Sequence, residues 1–275
     1  MSFAVLRVPD FYLHALRRID PALRGKPLGI VEGEGRKAVV TQVSAEAKSV
    51  EPGFAATFAM ARCPQIILRA RNQAAEMEAF KVLLASGFAL SPRVEATGPD
   101  RCTVDLRGVD AQRIGAELRR RVVELEEAGL PSKAGAGPSP LLANLAAEEA
   151  EPVLVVDDAS EFLRNLPIEA AEPSGAQAEI LKSWGIGKLG QLTALPKGEI
   201  GERLGTAGTE LWERAAGQTA RVLRLVEPAR VFAVEWEYEP AIDTLEPLLF
   251  KLQRYAERIA FELRGKLLAE RAVGV

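Results

Sequence analysis

Cysteine is scarce in this chain: 275 residues contain two, Cys63 and Cys102. They lie far apart without a Cys-x-x-Cys spacing, which argues against a zinc site and a disulfide framework and makes two buried free thiols the expectation. Long apolar runs are also missing. No stretch approaches the roughly 18 residues of a membrane span, and the N-terminus lacks a signal-peptide pattern, so a cytoplasmic protein without membrane contact is expected. Charge of one sign is missing as well. A net charge of -3 and a pI near 5.6 provide no global field that would draw the chain onto nucleic acid, so any such binding must rest on local basic patches. What is present is 48 % hydrophobic and 27 % charged residues, enough in a chain of this length for two or more compact units with their own cores.

Residues 3–8 and 26–31 read as strands. Between them residues 10–18 read as a helix with Leu13, Leu16 and Ile19 on one face. The sequence GEGRK at 33–37 turns the chain into the strand AVVTQVS; no helix opens directly after its glycines, which favours a hairpin turn over a phosphate loop. Residues 55–62 look helical, IILRAR at 66–71 strand-like, and 72–89 helical. Two short strands, RVEATG and CTVDLRG, flank Pro99-Asp100-Arg101. A helix at 110–128 follows, with Ile114, Leu118, Val122 and Leu125 at helical spacing. The stretch from Lys133 supplies a strand, a helix opened by Pro140, and a final strand. The order strand, helix, strand, strand, helix, strand over 3–8 and 72–156 fits a split βαβ layer, interrupted by an insertion at about 11–71.

From residue 164 the texture changes to short helices punctuated by glycines. That pattern suits a helix-hairpin-helix module, which offers backbone N–H groups to DNA phosphates without reading sequence; a helical cap without ligands is the other reading. A linker around LVEPAR at 225–230 leads to a strand at FAVEWEYEP and a helix from 243 to 264. The last residues, ERAVGV, read as the start of a further strand in an incomplete domain.

Several segments together resemble the Y-family translesion DNA polymerases over essentially the whole chain. They are FY at 11–12 followed by ALRGKPLGIV, ARCPQIILRAR at 61–71, SPRVEATGPDRCTVDLRG at 91–108, GPSPLLANLAAEEAEP at 137–152 and WGIGKLGQLTALP at 184–196. The thumb wording and LEPLLFKLQRYAERIAFEL at 245–263 look closest to the ImuB-like branch. The resemblance implies a mixed α/β (α+β) right-hand architecture. Its parts would be a ferredoxin-like palm at 1–10 and 72–163, small fingers at 11–71, a helical thumb at 164–228, and a linker with the start of a truncated little-finger domain at 229–275.

In active members the first strand ends in Asp-x-Asp and a later hairpin carries Asp-Glu, acids that hold two Mg²⁺ ions at the primer terminus. Here Arg7 and Pro9 stand at the first pair, Asp100 and Arg101 at the second. Two unit charges about 4 Å apart interact by roughly 4 kcal/mol at an effective dielectric near 20, so guanidiniums in place of carboxylates repel a divalent ion. The implied reading is a vestigial site with no metal and no cofactor, in which Arg7 and Arg101 pair with Asp100 and Asp10. The chain would then be no enzyme but a DNA-binding scaffold in translesion synthesis and damage-induced mutagenesis. Its partners by resemblance are DNA, the β sliding clamp, an ImuA or RecA-like protein and an error-prone replicative-type polymerase. The alternative is a divergent but active Mg²⁺-dependent DNA polymerase with metals at Asp10, Asp100 and Asp105.

Remnants of a nucleotide pocket are expected at Phe11, Tyr12, Lys48 and Glu151. Tyr12 stands at the sugar-discriminating aromatic or is simply core, and Glu151 replaces a lysine that faces the triphosphate. Expected DNA contacts are Lys182, Gly185, Gly187, Lys188 and Gly190, opposed by Glu172. Arg254 and Arg258 join them unless the C-terminal helix is only a charge-mixed solvated face.

Overall fold

The computed structural model describes residues 2–219 and 221–227, together with residues 245, 247–257 and 260. The chain divides into two units, Met1–Pro228 and Ala229–Val275. The first begins with β1 (Phe3–Arg7), α1 (Phe11–Ile19), β2 (Leu28–Glu32), β3 (Val39–Val43), α2 (Ala56–Arg62) and β4 (Ile67–Ala70). It continues through α3 (Gln73–Phe88), β5 (Val94–Gly98), β6 (Arg101–Asp105), α4 (Ala111–Glu127), β7 (Lys133–Gly137), α5 (Pro140–Glu149) and β8 (Val153–Val155). Helices α6 (Ala159–Asn165), α7 (Gly175–Ser183), α8 (Leu189–Thr193) and α9 (Lys197–Ala215) and the short strand β9 (Leu225–Val226) complete it. In the second unit residues 247–257 are helical.

The main sheet has the order β8-β7-β1-β6-β5-β9. Its four inner strands follow the ferredoxin-like order expected from the strand-helix-strand-strand-helix-strand pattern, with β8 and β9 added at the two sides. Strand β1 is bonded antiparallel to β6 and to β7 and covered on both faces. Side chains alternate along a strand: Ala4, Leu6 and Val8 enter the core shared with α3 and α4, while Phe3 and Val5 meet Ala143 and Ala147 of α5. Helix α4 buries Ile114, Leu118, Val122 and Leu125 at the expected spacing. Helix α5 starts where Pro140 fixes the first turn and the Ser139 hydroxyl accepts the Leu142 N–H at 3.2 Å.

The insertion between β1 and α3 forms a second sheet, β3-β2-β4. Strands β2 and β3 make the expected hairpin and β4 lies parallel to β2. Helices α6 to α9 close a third core around Leu163, Leu181, Leu189, Leu192, Ile200 and Leu211.

Two expectations are corrected. Ile19 is 57 % exposed; the inner face of α1 is Phe11, Leu13, Ala15 and Leu16, because the helix ends at Ile19 before that position can turn inward. The segment beginning at 225 is not only a linker. Leu225 and Val226 pair antiparallel with Glu95 and Val94 of β5, held by the Glu95 carboxylate, which accepts from the Arg224 N–H at 3.2 Å and from the Arg221 guanidinium. Two residues are too few to show a strand period. The predicted strand at 232, the two ends of the 243–264 helix and the terminal ERAVGV lie outside the described residues, while residues 247–257 of that helix are helical as expected.

Helix α5 lies close on β7 at Gly135. A Cβ at Gly135 would lie 2.1 Å from the Ala147 backbone nitrogen and 2.5 Å from the Ala143 carbonyl oxygen. No rotamer relieves a clash with backbone. Gly135→Ala is therefore expected to destabilise the protein by about 3 kcal/mol or more, measured by urea denaturation; a loss below about 1 kcal/mol would contradict this packing.

Candidate functional site

The alternation that buries Val5 against α5 also places Arg7, two residues on, over that helix. In the β1–β6 register Arg7 stands opposite Arg101. Like charges directly opposite one another destabilise a sheet, and here two carboxylates interleave with them. Asp100, in the turn entering β6, is fixed to the end of β1 by its carbonyl, which accepts the Val8 N–H at 2.8 Å. Its side chain accepts from Arg7 Nε at 3.3 Å and from Arg101 Nε and Nη2 at 3.1 and 3.2 Å. Arg101 Nη1 also donates to Asn144 Oδ1 at 2.7 Å and Glu148 Oε1 at 2.9 Å, and Arg7 Nη1 lies 3.8 Å from the same Glu148 oxygen. Burial pushes the Asp100 carboxyl up, but the hydrogen bonds and charges of Arg101 and then Arg7 outweigh it and hold it below the ordinary carboxylate value.

The expected cluster of Arg7, Arg101 and Asp100 is present, but Asp10 is not its fourth member. Asp10 precedes α1 in the left-handed conformation, φ 49° and ψ 38°, with no side-chain cap bond. Glu148 and Asn144 take that place. They lie four residues apart on one face of α5, and knowing that this helix lies over β1 would have found them. Asp105 sits four residues along β6 from Arg101, roughly 14 Å away at strand rise, where Arg107 and Arg93 hold it. It cannot share an ion with Asp100. Pro9, half-buried, carries no donor to this cluster.

Of the nucleotide-pocket residues, Phe11 is buried. Tyr12 meets it edge-on at 5.8 Å and donates its backbone N–H to Gln42 Oε1 at 3.0 Å. The Arg71 guanidinium lies 3.9 Å from the Tyr12 ring centre and is itself held by Glu76 at 2.7 Å and Glu32 at 3.4 Å. Sequence reasoning missed Arg71, which ends the IILRAR run and shows no signal of its own. Lys48 is exposed. Glu46 beside it pairs with Arg17 at 2.9 Å; the Ser44 hydroxyl first, against a burial cost, and then Arg17 bring its carboxyl down to about 2. Glu151 is exposed at the entrance to β8.

Lys182, in the last turn of α7, is exposed, as are Gly185, Gly187 and Lys188 between α7 and α8. Their backbone amides are engaged within the turn. The Gly185 and Ile186 N–H groups donate to the Lys182 and Leu181 carbonyls, and those of Gly187 and Lys188 to Gln191 Oε1 at 2.8 and 3.0 Å. Gly190 serves packing, since a Cβ there would lie 2.8 Å from the Arg164 carbonyl oxygen. Glu172 occupies the left-handed region at φ 52° two residues before the Ser174 cap of α7. Arg254 is exposed on the helix of the second unit, and Arg258 lies outside the described residues.

A profile of the impB/mucB/samB family matches residues 6–148. The chain belongs to this family. DNA polymerase IV of Shewanella sp. (strain ANA-3) is 27 % identical over 281 residues, covering 96 % of this chain and 78 % of the relative. DNA polymerase IV of Caulobacter vibrioides is 27 % identical over 286 residues, covering 98 % and 70 %. Among solved structures, the insertion ternary complex of Dbh DNA polymerase superposes with a TM-score of 0.71 at 19 % identity, over 81 % of this chain and 69 % of that one. DinB from Sulfolobus solfataricus gives 0.68 at 19 %. The fold is therefore that of the Y-family polymerases.

These relatives correct two expectations. Proteins named as polymerases, similar over nearly the whole chain, stand against the reading of a non-enzyme. With it falls the expectation of no cofactor, because polymerases of this family work with Mg²⁺. The side chains present fit such an ion poorly: Asp100 and Glu148 are both held by guanidiniums, and the described residues contain no group of three His, Cys, Asp or Glu arranged to hold a metal. Nor is any described helix long and apolar enough to cross a membrane.

Replacing Arg101 by Met tests the cluster. A depressed Asp100 contributes stability that is present above its unfolded value near 3.9 and is lost as pH falls through the folded one. The variant is expected to lose about 1–3 kcal/mol at pH 7 and less at pH 3. Urea denaturation at both pH values measures the difference; an equal loss at each contradicts the pairing.

Proposed function

We propose that this chain is a Y-family translesion DNA polymerase homologue that engages primer–template DNA, with the main sheet apart from β9 and its helices as palm (1–10 and 72–163), the small sheet as fingers (11–71) and the helical module, whose C-terminal end lends β9 to the main sheet, as thumb (164–228). The segment from 229 would open the little finger. The observation that carries this reading is the ferredoxin-like strand order with β1 at its centre, superposing on a polymerase described as an insertion ternary complex. DNA-directed DNA synthesis is the activity class that the relatives' names bring to the chain, and a cytoplasmic setting goes with it. The finer ImuB-like placement rests on wording in the thumb and the C-terminal segment, and none of the relatives named above carries it. The clamp, the ImuA or RecA-like protein and the replicative-type polymerase rest on that resemblance alone.

In this reading the chain's own residues act as follows. Lys182 at the end of α7 and Lys188 before α8, both exposed, meet phosphates as point charges, because the nearby amides are already engaged. Tyr12, backed by Phe11 and covered by Arg71, forms the floor under an incoming sugar. The cluster of Arg7, Asp100, Arg101 and Glu148 sets the charge at the end of β1 close to neutral.

Fluorescence anisotropy with a primer–template duplex tests the DNA half. With about 4 phosphates neutralised, log K should fall against log[salt] with a slope near -3.6, so a fourfold rise in salt weakens binding roughly a hundredfold. Changing Lys182 and Lys188 together to Glu should weaken it further, while binding indifferent to salt and to both lysines would sink the proposal. Primer extension on the same DNA tests the synthetic half. Incorporation that disappears in Asp100→Ala would place it at this end of the sheet, and tight binding without any incorporation would contradict it.

A further inference from the structure

We propose that the outer edge of β8 docks an extended peptide segment of a protein partner by strand addition, with an aliphatic side chain of the peptide in the cleft beside α4 and a basic one facing Asp157 and Glu161. Strand β8 is last in the main sheet and pairs parallel with β7. The Pro152 carbonyl accepts from Ala134 at 2.8 Å, and Val156 donates to the Ala136 carbonyl at 2.9 Å. Alternate residues of a parallel strand serve one neighbour, so Val153 and Val155 direct their N–H and C=O groups away from β7. Among the described residues no strand pairs with that side. The opposite side of the sheet is treated differently, for β9 and Glu95 cover β5 there.

An unpaired edge is ordinarily protected by lysine, proline or a bulge. Here its residues are Val-Leu-Val, followed by Val156, with cavities on both sides. On the α4 side lies a cleft of about 820 Å³ floored by Val122, Val123, Pro131 and Val153. The Ser132 hydroxyl lines this cleft; it is buried and has no hydrogen-bond partner, although it can both donate and accept. On the other face Leu154 and Phe162 line a hollow of about 210 Å³ with Asp157 and Glu161 at its mouth. Strand addition uses this combination: main-chain bonds give affinity, and successive side chains enter pockets on opposite faces. A small solute would leave the edge amides unused, whereas a peptide serves them together with the Ser132 hydroxyl. The charge follows from Asp157 and Glu161, which form no ion pair among the described residues, while Asp158 between them is committed to capping α6.

The test is selection of displayed random peptides of about 12 residues on the full chain, followed by titration of the labelled consensus peptide. The expected consensus alternates apolar residues and carries Lys or Arg, and its addition slows amide exchange at Val153 and Val155. Val155→Pro removes an outward N–H and leaves the β7 bonds in place; it should weaken binding at least about tenfold, as should Val123→Asp at a side chain 53 % exposed. If the proline variant fails to melt cooperatively, Val123→Asp and the exchange data decide. Failure to enrich any peptide, or a consensus indifferent to both changes, overturns the proposal. So does a dimer of the chain alone that Val155→Pro abolishes, since a second copy would then be the occupant.

Discussion

Arg7 and Arg101 face each other across the central strand pair with side chains rooted about 5 Å apart. Two unit charges held about 5 Å apart without partners repel by roughly 3 kcal/mol at an effective dielectric near 20. Asp100 supplies a counter-charge from the turn, and Glu148 supplies one from α5. The arrangement thus requires the turn to stay on the end of β1 and α5 to stay on the sheet. Gly135 and the alanines of α5 make that contact close enough. The same helix turns Leu142 and Leu145 toward the core of α6 to α9, so the helical module is seated on the element that neutralises the arginines.

Much of this was legible in the sequence. The strand at 3–8, the turn at 33–37 and the spacing of Ile114, Leu118, Val122 and Leu125 each rest on local pattern, and each is found where the pattern placed it. Arg7, Asp100 and Arg101 could be brought together from the resemblance alone. Glu148 could not, because its role depends on which face of the sheet α5 covers. The same holds for Arg71 over Tyr12 and for Gln191 at the Gly187 and Lys188 amides, where a side chain distant in function or in sequence occupies a group that local reasoning left free. Strand β9 is invisible for a different reason: its two residues pair through backbone and the Glu95 anchor, and neither leaves a period. The relatives stand against what charge arithmetic suggested, since counting carboxylates led to a non-enzyme and proteins similar over nearly the whole chain are named as polymerases.

The electrostatics constrain how such a chain meets DNA. With a net charge of -3, attraction must be local, and the described surface mixes Lys182 and Lys188 with Glu172 in one module. Phosphate contacts of the proposed kind would position a duplex without reading it. The two sides of the main sheet divide the remaining work: one is closed by the chain itself at β9, and the other presents Val153 and Val155 to a partner.

Backbone amide exchange across the whole chain, with and without a primer–template duplex, tests the central claim most directly. Engagement of DNA as a translesion polymerase predicts slowed exchange in the 182–191 turn and at the end of the sheet around residues 100–101 and 144–148, with β8 unchanged. Protection confined to other surfaces, or none at a saturating duplex concentration, would contradict the account.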